Sequence, residues 1–242
     1  MNSMSDADFD LVGLADYLHL DPAIVSRLVE RGKIPGRKVS GTWRFSSNEI
    51  HHWLEQRIGV SDAPELERIG GALERQVQPS EEPLLTLSQL LTPAAIEVPL
   101  TARTRNSVIT SMIELAERTG WLWDPVAMTE AVRTREDMLS TALDNGVALL
   151  HPRRPMPMII AQPMLALGVN DRPIPFASSR GVMTDIFFLI LSTTDRGHLH
   201  TLARLSRIIS DPGFIGELRA CPDPHAAHEL ISNREQALLG ES

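Results

Sequence analysis

A single cysteine, Cys221, excludes an internal disulfide and a cysteine-built zinc site, and it fits a reducing compartment. The first ten residues, Met1 to Asp10, are polar and acidic and lack the basic start and apolar run of a secretory signal. The longest apolar run, Ile186 to Leu191, is far short of a bilayer span. These absences point to a cytoplasmic protein without membrane insertion. Positive charge is not in excess either: the formal net charge is −8, so bulk electrostatics repel nucleic acid and any DNA contact must come from a local basic patch. What is present is ordinary for globular protein, with 43% hydrophobic and 22% charged residues. At 242 residues the chain can build one large core or two smaller ones.

The organisation begins with a small module. Leu11, Leu14, Ala15 and Leu18 recur at helical spacing behind Asp10. Asp21-Pro22 opens a second helix through Ile24, Val25, Leu28 and Val29, stopped at Gly32. Lys38 to Phe45 reads as a hairpin around Ser40-Gly41. Ser46 or Ser47 then caps a third helix through Ile50, Trp53 and Leu54. Helix, turn, helix, hairpin, helix is a winged helix-turn-helix layout, expected over residues 10–58. The Gly-Lys-Ile-Pro turn and the Gly-Thr-Trp-Arg-Phe wing resemble the excisionase/MerR-like DNA-binding domain. Arg27, Arg31, Lys33, Arg37, Lys38 and Arg44 collect on the second helix and wing as DNA-phosphate contacts. The competing expectation is a module that packs on protein. Residues 59–83 read as a helical linker. Within it Glu65 to Val77 has one apolar face, broken at Gly70-Gly71, able to dock on a domain or to pair with its copy in a homodimer.

Residues 84–238 alternate helices and strands. Helices are expected over Arg105–Glu117, from Asp124-Pro125 to Thr134, and near His198–Ser210, Asp211–Ala220 and Pro224–Leu238. Strands are expected near Val147–Leu150, Met156–Ala166 and Asp185–Ser192. Several apolar runs without polar alternation predict a sheet covered on both faces, an α/β sandwich. Trp121 and Trp123 are expected to fill the core, and Cys221 to pack. His225 and His228, one helical turn apart, lack an evident third ligand, so no metal is called for.

Chemistry gathers between Arg135 and Arg154. His151 ends the apolar run Val147–Leu150, Gly146 marks the turn before it, Ser140 and Thr141 offer hydroxyls, and Arg153 and Arg154 follow. A histidine at a strand exit sits on a rigid element beside solvent, a seat for an imidazole that takes and gives up a phosphoryl group. Arg-Glu, then Ser-Thr, then Gly-x-Ala-x-x-His resembles the phosphotransferase system enzyme IIA domain of the fructose/mannitol and nitrogen-regulatory class. The resemblance covers roughly Leu84 to Ile231. It implies a mixed sheet flanked by helices, with His151 as phosphoacceptor and Arg135 meeting the phosphate. His198, opening the helix after the Asp185–Ser192 strand, is the implied second histidine, with His200 in reserve.

Ser140, Thr141 and Arg153 are the expected phosphate neighbours. Two residues depart from the family pattern. Leu150 stands where proline usually precedes the histidine, and Pro152 stands where glycine often follows. Pro152 restricts His151 to extended backbone and removes an amide donor, which bears on transfer rate and partner choice. The resemblance implies an HPr-like phosphocarrier as partner and no cofactor. The expected activity is that of a phosphoryl carrier rather than a small-molecule enzyme. With the basic module, the chain reads as a phosphorylation-responsive DNA-binding regulator. The alternative is a cytosolic phosphocarrier whose N-terminal module binds protein.

Overall fold

The computed structural model describes residues 8–18, 21–46, 49–50, 53, 85–178 and 180–240. The chain folds as two compact units, Met1–Glu82 and Pro83–Ser242. The linker helix expected at Glu65–Val77, the pair His51-His52 and most of the third helix lie outside the described residues.

In the first unit, β1 (Asp8–Phe9) leads into α1 (Leu11–Leu18), followed by α2 (Pro22–Glu30), β2 (Arg37–Val39) and β3 (Thr42–Ser46). Asp10 Oδ1 accepts the Gly13 amide at 2.7 Å, and Asp21 Oδ1 accepts the Ala23 amide at 2.8 Å. Both aspartates thereby satisfy amides that a helix start leaves over. Ser40 and Gly41, with φ of 51° and 83°, turn β2 into β3 with the positive φ pair that matches strand twist. Ser46 belongs to β3, the centre of the order β1-β3-β2. Leu14, Ala15, Val25, Val29, Ile34, Phe45 and Ile50 are buried.

The second unit runs α3 (Leu87–Leu90), β4 (Leu91–Leu100), α4 (Arg105–Arg118), α5 (Pro125–Met138), β5 (Val147–Leu150), β6 (Met164–Pro175), β7 (Met183–Leu191), α6 (Asp195–Ile209), α7 (Pro212–Arg219) and α8 (Pro224–Gly240). The strands form a mixed sheet in the order β4-β6-β7-β5. Outer strands pair parallel to their neighbours, and β6 pairs antiparallel to β7. Phe187, Leu189 and Leu191 join Val108, Met112, Met128 and Val132 in one core. Ile186, Phe188 and Ile190 are equally buried and, alternating with them, face the opposite side, where α6 packs on β7. The mixed sheet flanked by helices is therefore as expected.

Two strands differ from the sequence reading. The strand placed at Met156–Ala166 begins at Met164 and continues to Pro175, with its register against β7 shifted between Val169 and Ile174. The polar run Asn170-Asp171-Arg172-Pro173 sits at that irregularity. β4 has no counterpart among the expected strands. It carries Pro93 and Pro99, which an edge strand tolerates because ladder donors are dispensable there. Trp121 packs partly buried against the core, but Trp123 is 63% exposed, so it does not fill the core as expected. Its amide instead joins Ile159 O at 2.8 Å. No described helix is long and apolar enough to cross a membrane.

Candidate functional site

The parallel register of β5 on β7 pairs Leu150 with Leu189. The carboxyl ends of both strands therefore reach the same edge of the sheet, where ligand sites of open α/β sheets form. His151 follows β5 at that edge. Ser192 follows β7, and Thr194 caps α6 by accepting the Gly197 amide at 3.1 Å. His198 stands one turn into α6, its own amide bonded to Thr194 O at 3.0 Å. It therefore does not open the helix, and it offers a ring rather than an amide.

The two imidazoles meet, with ring centroids 5.0 Å apart and planes at 58°. His151 is 3% and His198 5% exposed. His151 Nδ1 lies 2.8 Å from Leu149 O. A carbonyl only accepts, so Nδ1 carries the proton in the neutral ring and Nε2 keeps the lone pair. Ser192 Oγ is 3.4 Å from His198 Nδ1 and steadies that ring. His200 is buried too. Desolvation, with Arg204 and Arg196 adding to it, lowers its pKa from 6.5 to about 4, so it stays neutral near neutral pH.

Helix α5 runs a turn beyond Thr134 and carries Arg135 inward to 3% exposure. Its Nη1 donates to Leu139 O at 2.7 Å, while its buried Nε has no hydrogen-bond partner among the described residues. Ala142 bridges Ala148 antiparallel, and the Leu149 amide donates to Thr141 O at 3.3 Å, so the segment that follows α5 lies along β5. A buried guanidinium with an unused N–H suits an incoming oxyanion.

Ser140 Oγ donates to Phe176 O at 2.8 Å, and Thr141 Oγ1 donates to Glu136. Both hydroxyl protons that sequence reasoning offered to a phosphate are thus engaged within the protein. Pro152 is buried, whereas Arg153 and Arg154 are exposed. Glu136 escaped the sequence reading as a site residue, although it continues the Met128–Val132 stripe at four-residue spacing.

In the first unit, Arg27, Arg31, Lys33, Arg37, Lys38 and Arg44 are all exposed. Arg37 and Arg44 are register partners, and Lys38 Nζ lies 5.1 Å from the Trp43 ring centroid. No group of three or more histidine, cysteine, aspartate or glutamate residues able to hold a metal occurs among the described residues.

Two buried imidazoles thus meet beyond the carboxyl ends of β5 and β7, in a mixed sheet flanked by helices. The family model "Phosphoenolpyruvate-dependent sugar phosphotransferase system, EIIA 2" matches residues 89–234, and the chain belongs to that family. A helix-turn-helix domain model matches residues 14–58. The Nitrogen regulatory protein of Escherichia coli (strain K12) is 29% identical over 116 residues, 46% of this chain and 68% of that protein. The PTS system fructose-specific EIIABC component of Bacillus subtilis (strain 168) is 24% identical over 154 residues. That match covers 63% of this chain, which spans 24% of the Bacillus protein's length. The crystal structure of Nitrogen Regulatory Protein IIA-Ntr from Neisseria meningitidis superposes with a TM-score of 0.54 at 19% identity, covering 60% of this chain and 97% of that one. At that identity the likeness shows the fold.

Proposed function

We propose that His151 accepts a phosphoryl group on Nε2 from an HPr-like phosphocarrier, and that the resulting charge controls DNA binding by the helix-turn-helix module. The protein is then a cytoplasmic, phosphorylation-responsive regulator. Its parts are a DNA-binding module at 10–58, a connecting segment at 59–83 and the phosphohistidine domain at 84–238. The observation that carries this reading is the pair of buried imidazoles 5.0 Å apart, one with its Nδ1 tied to a carbonyl.

In the transfer, the Nε2 lone pair attacks phosphorus as the donor's P–N bond breaks in line, and the Nδ1 proton stays on the ring, bonded to Leu149 O. Little covalent work is asked of the protein beyond alignment and charge compensation. Arg135 supplies the buried positive charge and His198 a donor to a phosphoryl oxygen. Arg153 lies at the exposed rim, where it meets the donor. Ser140 and Thr141 neighbour the phosphate by holding the segment beside β5 rather than by donating to it. A phosphoryl group adds close to two negative charges near neutral pH, enough to change what the phosphohistidine domain binds.

Incubation with phosphoenolpyruvate, enzyme I and HPr tests the reading. Acid-labile phosphate is expected on His151, and unchanged labelling of His151→Ala would overturn the assignment. The net charge of −8 favours a second reading, a phosphocarrier whose N-terminal module binds protein. Mobility-shift assays on promoter fragments separate the two.

A further inference from the structure

We propose that Glu136 is a positioning residue for His151, holding its imidazole through Thr141 and Leu149. The Glu136 side chain is completely buried, 0% exposed, in the last turn of α5. Its oxygens accept the Thr141 amide at 3.1 and 3.3 Å and the Thr141 hydroxyl. Thr141 O accepts the Leu149 amide at 3.3 Å. Leu149 O then accepts His151 Nδ1 at 2.8 Å. The carboxylate is thus tied to Thr141, Thr141 to Leu149 and Leu149 to the phosphoacceptor ring, residue by residue.

Each link turns the next. Thr141 is held on the outer edge of β5, so the strand end carrying His151 cannot shift without breaking the carboxylate's bonds. The Leu149 carbonyl keeps the proton on Nδ1. The segment that Glu136 holds includes Leu139, whose carbonyl orients Arg135. One buried carboxylate therefore sets both the attacking imidazole and the guanidinium of the site.

A carboxylate is costly to bury unless charge and hydrogen bonds compensate it. Arg105 Nη2 stands 3.5 Å from Glu136 Oε2, and also 3.3 Å from Asp137 Oδ1. Burial raises the Glu136 pKa, whereas the Thr141 bonds, Arg105 and Arg135 lower it. A residue needed only to fill the end of α5 would be apolar, like Met128 and Val132 on the same stripe.

The proposal rests on His151 as phosphoacceptor, so its test uses two independent readouts on the full-length chain. One is the single-turnover rate of phosphoryl transfer from phosphorylated HPr, and the other is the ring nitrogen resonances of His151 in the unphosphorylated protein. Glu136→Ala is expected to slow transfer about 10²-fold and Glu136→Gln, which keeps one acceptor for the Thr141 amide, about 10-fold. The loss is expected in the rate at saturating HPr rather than in the KM for HPr, with the Nδ1 proton exchanging faster in both variants. Glu136→Gln serves if Glu136→Ala fails to fold. A folded variant with wild-type rate and wild-type ring resonances would overturn the proposal. Absence of label on wild-type His151 would instead overturn the phosphoacceptor reading, and the resonances would still report whether Glu136 positions the ring.

Discussion

Nδ1 of His151 lies 2.8 Å from the carbonyl oxygen of Leu149, two residues back along the chain. This hydrogen bond chooses the tautomer and so, in the proposed function, the attacking nitrogen. Phosphorylation is expected on Nε2 alone, because modification at Nδ1 would cost the bond to Leu149. Phosphorus-31 and nitrogen-15 spectra of the phosphorylated protein check this. An Nδ1-phosphorylated ring would show that the site rearranges before transfer.

His198 should matter through its ring. Replacing it with alanine removes a donor held 5.0 Å, centroid to centroid, from the His151 imidazole. Loss of one preorganised donor to developing oxyanion charge lowers rates by about 10²-fold. Rapid-quench measurement on His198→Ala is expected to show that loss, while His198→Gln recovers part of it. Equal rates for His198→Ala and wild type would remove the second histidine from the chemistry.

Much of this site was legible in residue order, and the misses have physical causes. Val147–Leu150 is apolar at every position and bounded by Gly146, so both the strand and His151 at its exit could be read. β4 could not, because Pro93 and Pro99 argue against a strand unless its edge position is known. Arg135 is legible only through the resemblance, and the burial of Arg135 and Glu136 is not legible at all, because the helical pattern ends at Thr134. The carboxylate's burial depends on Thr141 folding back from outside the helix, which helical periodicity does not encode. The approach of His151 to His198 likewise depends on the parallel pairing of β5 with β7.

Glu235 is the expected weak point of the domain's stability. Its carboxylate accepts the Leu87 amide at 2.7 Å and the Ser88 amide at 3.2 Å, and it pairs with Arg204 at 2.9 Å in a buried setting. It thereby fastens α3, at the entry to edge strand β4, to α8 and α6. Glu235→Ala leaves buried donors without their acceptor and is expected to cost about 3–5 kcal/mol. Urea unfolding followed by tryptophan fluorescence measures it. A loss under about 1 kcal/mol, the range of surface pairs, would mean that solvent replaces the carboxylate.

His200 gives a pH dependence of known sign. Its folded-state pKa is lowered from 6.5 to about 4, by desolvation first and by Arg204 and Arg196 next. The unfolded chain therefore binds a proton that the folded domain refuses between those values. The stability this neutral ring allows is full above pH 6.5 and is lost as pH falls towards 4. The slope contributed is at most about 1.4 kcal/mol per pH unit. Glu136, whose pKa is raised from 4.5, acts in the opposite sense above its ordinary value, so the comparison must be between proteins that share it. Denaturant titrations of wild type and His200→Gln from pH 7 to pH 4 should diverge, with the variant flatter. Parallel curves would place the His200 ring in contact with water.

The DNA-binding reading makes a quantitative claim about salt. Arg27, Arg31 and Arg44 are exposed on α2, just beyond it and on β3. Each DNA phosphate left without its arginine should reduce the slope of log affinity against log salt by about 0.9. The Arg27→Ala, Arg31→Ala, Arg44→Ala protein is therefore expected to bind promoter fragments more weakly and with a shallower salt dependence. Its phosphorylation on His151 should be unaltered, since none of the three residues belongs to the unit that carries the histidine pair. Unchanged affinity and slope would move DNA binding away from α2 and the wing, and would favour the module's use as a protein-binding surface.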